Sequence, residues 1–344
     1  MSTEDRIAAA LPLRLLERAL SRDVTSIFYH AFAAAPLPHI TPVYAVKRPE
    51  DFERDLVYLK AHFNVVSHDE IVAHRAGGRR LPERAASVSF DDGFRECFTV
   101  ARPLLKKHAV PATFFVCNDF IDNKKLMYRN RVALCLSKID AVSPTEAAHL
   151  VATLAEAGGT ALESVAAARA WLLSLGYADA ALIDRACGSL GISVADFLRE
   201  RQPYLTRKEI EQLHEEGFTI GGHTSDHPEL HRLDWGQIRQ QLIGSCELIR
   251  QITGRAQVPF AFPFNGLRLS RTKLESMRSE LGSIDLMYDT NNLMRDRDFI
   301  LNRICGDIPA GATATRSNLP RLIGRARLLE PLRIVRRGAR SLAG

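Results

Sequence analysis

SVSFDDGF, residues 87–94, ends a β-branched and apolar run in two adjacent carboxylates and a glycine. The run predicts a buried strand over 86–91, because short β-branched and aromatic stretches bounded by turn residues favour strands. In a parallel α/β protein the functional groups gather where strands end, and Asp91 and Asp92 lie at such an end. Gly93 permits a sharp turn directly after them. Alone, however, Asp-Asp-Gly is more often a solvated turn with a helix N-cap.

Short strands of this kind alternate with longer helical patterns along the chain, which predicts βαβ units and a parallel sheet. The predicted strands lie at 24–30, 63–67, 86–91, 112–117, 218–222, 258–262 and 284–288. The predicted helices between them lie at 49–62, 68–76, 95–108, 206–216, 234–252 and 270–281. Residues 124–204, rich in alanine and leucine, interrupt the alternation and predict several inserted helices. Such an insertion can cover the active face of an α/β enzyme, or it can only add stability.

The composition is that of an ordinary soluble globular protein, with 46% apolar and 25% charged residues. Six cysteines are scattered without a CxxC pair, which favours reduced thiols inside a cell. The N-terminal stretch carries charge throughout and has no signal-peptide core. No segment approaches the roughly 18 uninterrupted apolar residues of a membrane span. We therefore expect a cytoplasmic protein.

The formal net charge of +6 is concentrated at the C-terminal end of the chain. Residues 311–344 hold eight arginines and one glutamate, so the rest of the chain is close to neutral and a general nucleic-acid surface is not indicated. Within this tail, leucines and arginines interleave over 319–340, a pattern that suits a helix on an anionic membrane surface. The tail is therefore a candidate for peripheral association at the inner membrane face. The alternative is a helix that packs its leucines on the domain and leaves its arginines in solvent.

A second stretch, FTIGGHTSDHPEL at 218–230, places His223 and His227 four residues apart directly after a glycine-ended strand. Two imidazoles at this spacing can bind one divalent metal. With one carboxylate of the Asp91–Asp92 pair they would form a three-ligand site that leaves positions open for water and substrate. The second carboxylate would then be free to accept a proton from that water. This combination predicts a site that hydrolyses an amide or an ester.

The two stretches resemble the first and second motifs of the polysaccharide deacetylases of the NodB-homology type, carbohydrate esterase family 4. FAFPFNG (260–266) is similar to the third motif in the form FAYPYG, and LNRI (301–304) is similar to a late LPRI element of the same subgroup. The resemblance covers most of 24–122 and 204–306. It implies an α/β fold, a distorted (β/α)7-type barrel with a helical insertion.

The resemblance and the patterns outside it together predict three parts of the chain. They are an N-terminal helical segment at 1–23, a deacetylase domain at 24–310 with its insertion at about 124–204, and a basic amphipathic tail at 311–344.

The resemblance also implies residue roles. Asp91 is the expected catalytic base. A divalent metal is the expected cofactor, with Zn²⁺ the default and Co²⁺ or Ni²⁺ as alternatives. The expected metal ligands are Asp92, His223 and His227.

The third motif implies that the backbone N–H of Phe264 stabilises the oxyanion and that Pro263 shapes the turn, both beside the substrate. Many relatives carry an arginine where this chain has Ala261. Arg303, in the late LNRI element, is our candidate for the missing positive partner of Asp91. The alternative is an arginine that lies at the surface or serves only in an ion pair.

The usual general acid of the family is a C-terminal histidine, yet the last histidine here is His231. His30, at the end of the first predicted strand, is the candidate that replaces it, and the alternative is a hydrogen-bonded core histidine. Asp289 and Asp307 are weaker candidates for the acid. The histidines in polar helical contexts are expected to be ordinary surface residues: His68, His74, His108 and His214.

We therefore expect a metal-dependent N-deacetylase that acts on the acetamide of an N-acetylated sugar, glycan or lipid-linked saccharide. Two alternatives stay open on the same fold. One is a hydrolase of another C–N bond, such as an imide, ureide or formamide. The other is a carbohydrate-binding relative without catalytic activity, which the absence of the C-terminal histidine and of the motif arginine favours.

Overall fold

The computed structural model describes residues 24–308 and 316–327, in which seven parallel strands close a barrel. The ring runs β1-β8-β7-β6-β5-β4-β3 and closes where β3 pairs with β1. This confirms the predicted (β/α)7-type barrel, while the helical segment predicted at 1–23 lies outside the described residues. The strands are β1 (Thr25–Tyr29), β2 (Asn64–Val65), β3 (Ala85–Phe90), β4 (Thr113–Val116), β5 (Thr219–Gly222), β6 (Val258–Ala261), β7 (Ile284–Asp289) and β8 (Ile300–Cys305).

Two strands differ from the sequence-based expectation. The strand predicted at 63–67 shrinks to the two residues of β2, which pair only with the start of β3 and lie outside the closed ring. The seventh ring strand is instead β8, which we expected only as the LNRI motif and not as a strand. The sequence did not predict this strand because it contains polar residues. Asn302 and Arg303 are buried in it, although such residues are usually exposed.

The helices follow the predicted alternation, and their ends carry the signals that the sequence contains. Helix α2 begins with a capping box between Ser67 and Glu70, and α9 begins with one between Thr206 and Glu209. Helix α10 ends at Gly254, whose φ of 69° only glycine adopts without strain. The barrel helices are α1 (Pro49–His62), α2 (His68–Arg75), α3 (Arg102–His108), α9 (Arg207–Glu215), α10 (Trp235–Thr253) and α11 (Arg271–Leu281).

The insertion between β4 and β5 is helical and packs over the carboxyl ends of the strands. Its apolar side chains form a core of their own. This core continues through Phe94 and Tyr204 to the edge of the barrel that the carboxyl ends of the strands form. Tyr44 and Phe264, from two barrel loops, border the same core. The insertion therefore covers the face on which the motif residues lie. Its helices are α4 (Tyr128–Asp140), α5 (Pro144–Gly158), α6 (Val165–Ser174), α7 (Ala180–Ser189) and α8 (Val194–Arg201).

Part of the basic tail is described and forms a last helix, α12, at 319–327. Its side chains Leu319, Leu322 and Ile323 are buried in the main hydrophobic core. In this part of the tail the apolar face packs on the barrel and is not available to lipid, as the alternative interpretation required of the leucines. Arg327, by contrast, is buried and donates to Thr25 Oγ1 at 3.2 Å instead of lying in solvent. The rest of the predicted membrane-binding tail lies outside the described residues. Among the helices of the described ranges, none is long and apolar enough to cross a membrane.

Candidate active site

The two adjacent aspartates are buried at the upper end of β3 and turn towards different partners. The backbone N–H of Asp91 donates to the carbonyl of Tyr29 at 2.9 Å, which continues the pairing of β3 with β1 by one residue. The chain then turns sharply, because Asp92 and Gly93 have φ values of 69° and 70°. The carboxylate of Asp91 consequently contacts Arg303, whereas that of Asp92 contacts two histidines.

Asp92, His223 and His227 form a compact cluster whose ligand atoms all lie within 4.8 Å of one another. The Nε2 atoms of His223 and His227 lie 3.3 Å and 3.1 Å from the same Oδ1 of Asp92. His223 directly follows β5, and Gly221 in that strand leaves no room for a side chain, because an added Cβ would lie 2.7 Å from the carbonyl oxygen of Pro259. The strand and its glycines thus place the first histidine opposite the end of β3.

The hydrogen bonds that the three residues make, and those that they lack, fit a divalent metal. Both carboxylate oxygens of Asp92 are buried without a hydrogen-bond partner, a costly state that a cation relieves. The Nδ1–H of His223 donates to the carbonyl of Ala261 at 2.9 Å, which leaves Nε2 with its lone pair for a metal. A carboxylate with two imidazoles is also a common donor set for Zn²⁺.

Electrostatics favours the protonation states that metal binding needs. Burial alone raises the pKa of Asp92, but the imidazoles of His227 and His223 outweigh it and hold that pKa well below its usual range. Burial lowers the pKa of His227, so this ring is neutral at neutral pH although Asp92 acts in the opposite direction. An ionised carboxylate beside a neutral imidazole is ready to bind a metal without losing a proton.

The backbone is strained at the residues that form the site. Besides Asp92, left-handed φ values occur at Thr224 (68°), His227 (63°) and Phe264 (56°). Residues other than glycine adopt this backbone conformation at a cost of about 1–3 kcal/mol each, and residues of this kind concentrate at functional sites. Hydrogen bonds hold part of this backbone, since Thr224 Oγ1 accepts the backbone N–H of His227 at 3.0 Å.

Arg303 lies inside the barrel and holds Asp91 through both carboxylate oxygens. Its Nη1 donates to Oδ1 at 2.6 Å and its Nη2 donates to Oδ2 at 2.8 Å, while Nη1 also reaches Ser89 Oγ at 3.0 Å. The guanidinium packs against the rings of Phe28 and Phe115, at 4.6 Å and 5.3 Å from their centroids. An arginine from β8 thus occupies the place beside Asp91 for which it was the candidate. Arg303 is fully buried and is not a surface residue, while the alternative of an arginine that serves only as an ion-pair partner stays open.

His30 and Asp307 form a second pair at the same edge of the barrel. His30 directly follows β1, and its Nδ1–H donates to Asp307 Oδ2 at 2.5 Å while its backbone N–H donates to Oδ1 at 3.1 Å. Burial by itself lowers the pKa of His30, but the carboxylate of Asp307 outweighs it and raises the pKa from 6.5 to about 9. Asp92 and Asp91 add to this rise, so the ring lies within electrostatic reach of both.

The loop after β6 contains Pro263 and Phe264, and Phe264 lies beside the cluster of Asp92, His223 and His227. The ring of Phe264 lies 4.8 Å from that of His227, edge to face. The carbonyl of Phe264 accepts from Thr290 Oγ1, while its N–H has no hydrogen-bond acceptor among the described residues. Asp289 fixes the loop from β7 by accepting the N–H of Gly266 at 3.0 Å.

Several histidines and aspartates have other positions than the sequence suggested. His68 is buried, not exposed, because it starts α2 against β7 and contacts Tyr288 Oη at 2.9 Å and Asp285 Oδ2 at 3.0 Å. His231, the last histidine of the chain, is exposed. Asp289 is a weaker candidate for the acid. Its carboxylate accepts hydrogen bonds from the N–H of Gly266 and, at 3.1 Å, from Arg271 Nη2.

Sequence reasoning missed three side chains from the insertion and an adjoining loop. Arg129 and Tyr44 lie at the edge of the site beside Phe264 and His30. Tyr177 Oη donates to Asp226 Oδ2 at 2.5 Å, and Asp226 directly precedes the metal-ligand candidate His227. Their local sequence contains no signal for this placement. Only the burial of the insertion against the barrel brings them there.

Comparisons with known proteins place this geometry in a family. A family model described as polysaccharide deacetylase matches residues 78–279. Two solved structures share the fold. The deacetylase PplD of Streptococcus pyogenes, in complex with acetate, is 15% identical with a TM-score of 0.53 over 82% of this chain and 91% of that one. IcaB of Ammonifex degensii is 15% identical with a TM-score of 0.50 over 89% of this chain and 97% of that one. A search of curated proteins finds no match.

Proposed function

The chain belongs to the polysaccharide deacetylase family, whose model covers more than half of it, and we propose that it is a metal-dependent N-deacetylase of an N-acetylated saccharide. The observation that carries the proposal is that two adjacent aspartates contact different partners. Asp92 completes the cluster with His223 and His227, while Asp91 is held by Arg303 outside that cluster. One carboxylate is thereby available for a metal and the other for a proton.

Asp92, His223 and His227 would hold the divalent ion, and Zn²⁺ suits this donor set best. When bound, the ion supplies Lewis acidity towards the acetamide carbonyl and the attacking water. Asp91 accepts the proton of that water as it adds to the carbonyl carbon. Arg303 fixes the orientation of the Asp91 carboxylate through two parallel hydrogen bonds.

The negative charge that develops on the carbonyl oxygen needs a donor, and the unpaired backbone N–H of Phe264 supplies one. The C–N bond then breaks, and the nitrogen must be protonated to leave as an amine. His30 carries this proton, because Asp307 keeps its ring protonated at neutral pH. The products are a free amino sugar and acetic acid, which loses its proton to become acetate. Asp91 then returns its proton to solvent and His30 takes one up, which restores both groups.

The test is acetate release from a panel of N-acetylated saccharides, with the protein supplied with Zn²⁺, Co²⁺ or Ni²⁺ and its metal content measured. We expect turnover by the wild-type protein. Asp91→Asn should lose about 10²-fold or more of kcat while it keeps its metal, as expected when a general base is removed. Asp69→Asn, the same change at an exposed ion pair on α2, is the control and should retain both.

Three outcomes would contradict the proposal or one of its parts. Hydrolysis of a formamide, ureide or imide tested beside the panel, without acetate release from any N-acetylated saccharide, would favour a hydrolase of that other C–N bond. Binding of saccharide without turnover under all three metals would favour a carbohydrate-binding protein. Loss of metal from Asp91→Asn would mean that the two aspartates have exchanged roles.

A further inference from the structure

The insertion contributes one cation to the active-site face, the guanidinium of Arg129 at the start of α4. Its Cζ lies 5.0 Å from the ring centroid of Tyr44 and 5.7 Å from that of Phe264. Both distances are within the range of a cation–π contact. The two rings restrict the orientation of the planar guanidinium, so its fork of N–H donors is positioned before any ligand arrives.

The same two rings connect Arg129 to both sides of the reaction centre. The ring of Phe264 contacts the metal-ligand candidate His227 at a centroid distance of 4.8 Å. The ring of Tyr44 contacts His30, the proposed acid, at 5.5 Å. A single aromatic ring therefore lies between Arg129 and His227, and another between Arg129 and His30. Arg129 is on the side of the site that the insertion covers.

The charge of Arg129 has no acidic partner among the described residues. Its Nη2 donates to the backbone carbonyl of Val43 over a long 3.4 Å, and its buried Nε has no hydrogen-bond partner. Arg131, two residues later on α4, instead pairs with Asp184. Arg303 in the barrel pairs with Asp91. A half-buried arginine without a counter-charge is costly, and an anion that binds beside it removes that cost.

We propose that Arg129 forms an anionic subsite, which binds a carboxylate or phosphate group of the substrate next to the sugar that carries the acetamide. A planar fork of N–H donors is the group that proteins use for bidentate recognition of these two anions. The inference rests on the proposed deacetylase function and names its substrate class, an acidic N-acetylated saccharide. A uronic acid neighbour and a phosphate-linked sugar are the two sources of such an anion.

The experiment compares three substrates at fixed low salt. They are a neutral N-acetylglucosamine oligomer, an oligomer that alternates N-acetylglucosamine with glucuronic acid, and UDP-linked N-acetylglucosamine. We expect the wild-type protein to have a higher kcat/KM on one of the acidic substrates than on the neutral oligomer, and which one identifies the source of the anion. Arg129→Gln should lose about 10- to 100-fold of kcat/KM on that substrate, mainly through KM, as removal of a charge-assisted hydrogen bond predicts. On the neutral oligomer the same variant should stay close to wild type.

Arg131→Gln is the matched control on the same helix and should leave the substrate preference unchanged. Arg129→Lys keeps the charge without the planar fork and should recover only part of the preference. An equal loss on neutral and acidic substrates in Arg129→Gln, or a wild-type protein without preference for acidic substrates, would overturn the subsite.

If no acetamide is hydrolysed at all, the deacetylase proposal fails, and calorimetric titration with the three saccharides still decides the subsite. Tighter binding of an acidic saccharide by the wild-type protein, lost in Arg129→Gln, supports it. Equal binding of neutral and acidic saccharides contradicts it.

Discussion

Arg303 and Asp91 face each other inside the barrel as a bidentate ion pair, with Nη1–Oδ1 at 2.6 Å and Nη2–Oδ2 at 2.8 Å. The arginine comes from β8 and the aspartate from the end of β3, and β1 lies between these two strands in the ring. The pair therefore links two strands that flank β1. It holds the proposed base through both carboxylate oxygens.

Replacement of this arginine by lysine should separate orientation from charge. Arg303→Lys keeps a cation near Asp91 but loses the parallel hydrogen bonds, so the carboxylate is free to rotate. We expect kcat to fall by about 10²-fold, the cost of a misplacement of about 1 Å at a catalytic group. Metal content, measured by mass spectrometry, should not change, because the ligand cluster is untouched. A variant that loses metal would show that Arg303 acts on the cluster instead.

Stability of the same pair can be tested by a double-mutant cycle. Arg303→Met leaves Asp91 buried without its partner and should lower the free energy of unfolding by about 3–5 kcal/mol. Asp91→Asn combined with Arg303→Met removes the isolated charge, so the double variant should be more stable than Arg303→Met alone. Urea unfolding of the four proteins measures the coupling. Additive losses would mean that the two side chains do not interact in the folded state.

Metal binding should be visible as stabilisation as well as activity. Removal of the ion by a chelator exposes the unpaired carboxylate oxygens of Asp92 again, and we expect a lower melting temperature and no turnover. Metal present at 100 times its Kd should restore about 2.7 kcal/mol. In Asp92→Asn the melting temperature should no longer respond to added Zn²⁺. A response equal to that of the wild-type protein would place the ion elsewhere.

The fold and the metal-ligand candidates could be predicted because their signals are local. Each motif combines a strand end with the residues that follow it, and parallel strands bring their carboxyl ends to one edge whatever the intervening sequence. The contact between Arg303 and Asp91 was harder to predict, since it depends on a strand whose polar residues face the interior. The resemblance to the LPRI element, and not a strand pattern, suggested it.

The remaining parts of the site depend on packing that no local pattern contains. Arg129 and Tyr177 reach the site only because the insertion folds back over the barrel, and the sequence of a helix does not tell where it docks. The prediction that His68 is a surface residue was wrong for a related reason. The histidine lies in a polar stretch, yet the first turn of its helix packs against β7, where Tyr288 and Asp285 satisfy both ring nitrogens.

The insertion should support the metal-ligand loop through Tyr177. Its hydroxyl donates to Asp226 at 2.5 Å, and Gln241 Nε2 holds the other carboxylate oxygen at 2.9 Å. Tyr177→Phe removes one of these two contacts beside His227, so we expect metal affinity to fall by about 10-fold, the lower end of the effect of an outer hydrogen bond. Competition with a metal-sensitive dye measures it. Tyr58→Phe, on α1 far along the chain from this loop, is the control and should leave the affinity unchanged.

The pH dependence of turnover tests His30 as the acid. Because Asp307 raises the pKa of His30 to about 9, the ring is protonated at neutral pH and activity should fall as pH rises through the pKa of the loaded enzyme. A divalent ion on Asp92 offsets part of the negative charge near the ring, so that alkaline limb should lie below 9.

Asp307→Asn removes the main cause of the raised pKa and should move the limb towards 6.5. The same raised pKa makes a contribution to stability that is complete below about 6.5 and lost as pH rises through about 9. The difference in unfolding free energy between wild type and Asp307→Asn should therefore shrink across that interval. His30→Gln should show no alkaline limb from this group and a loss of about 10²-fold or more in kcat. An alkaline limb that stays in place in Asp307→Asn would assign the proton transfer to another residue.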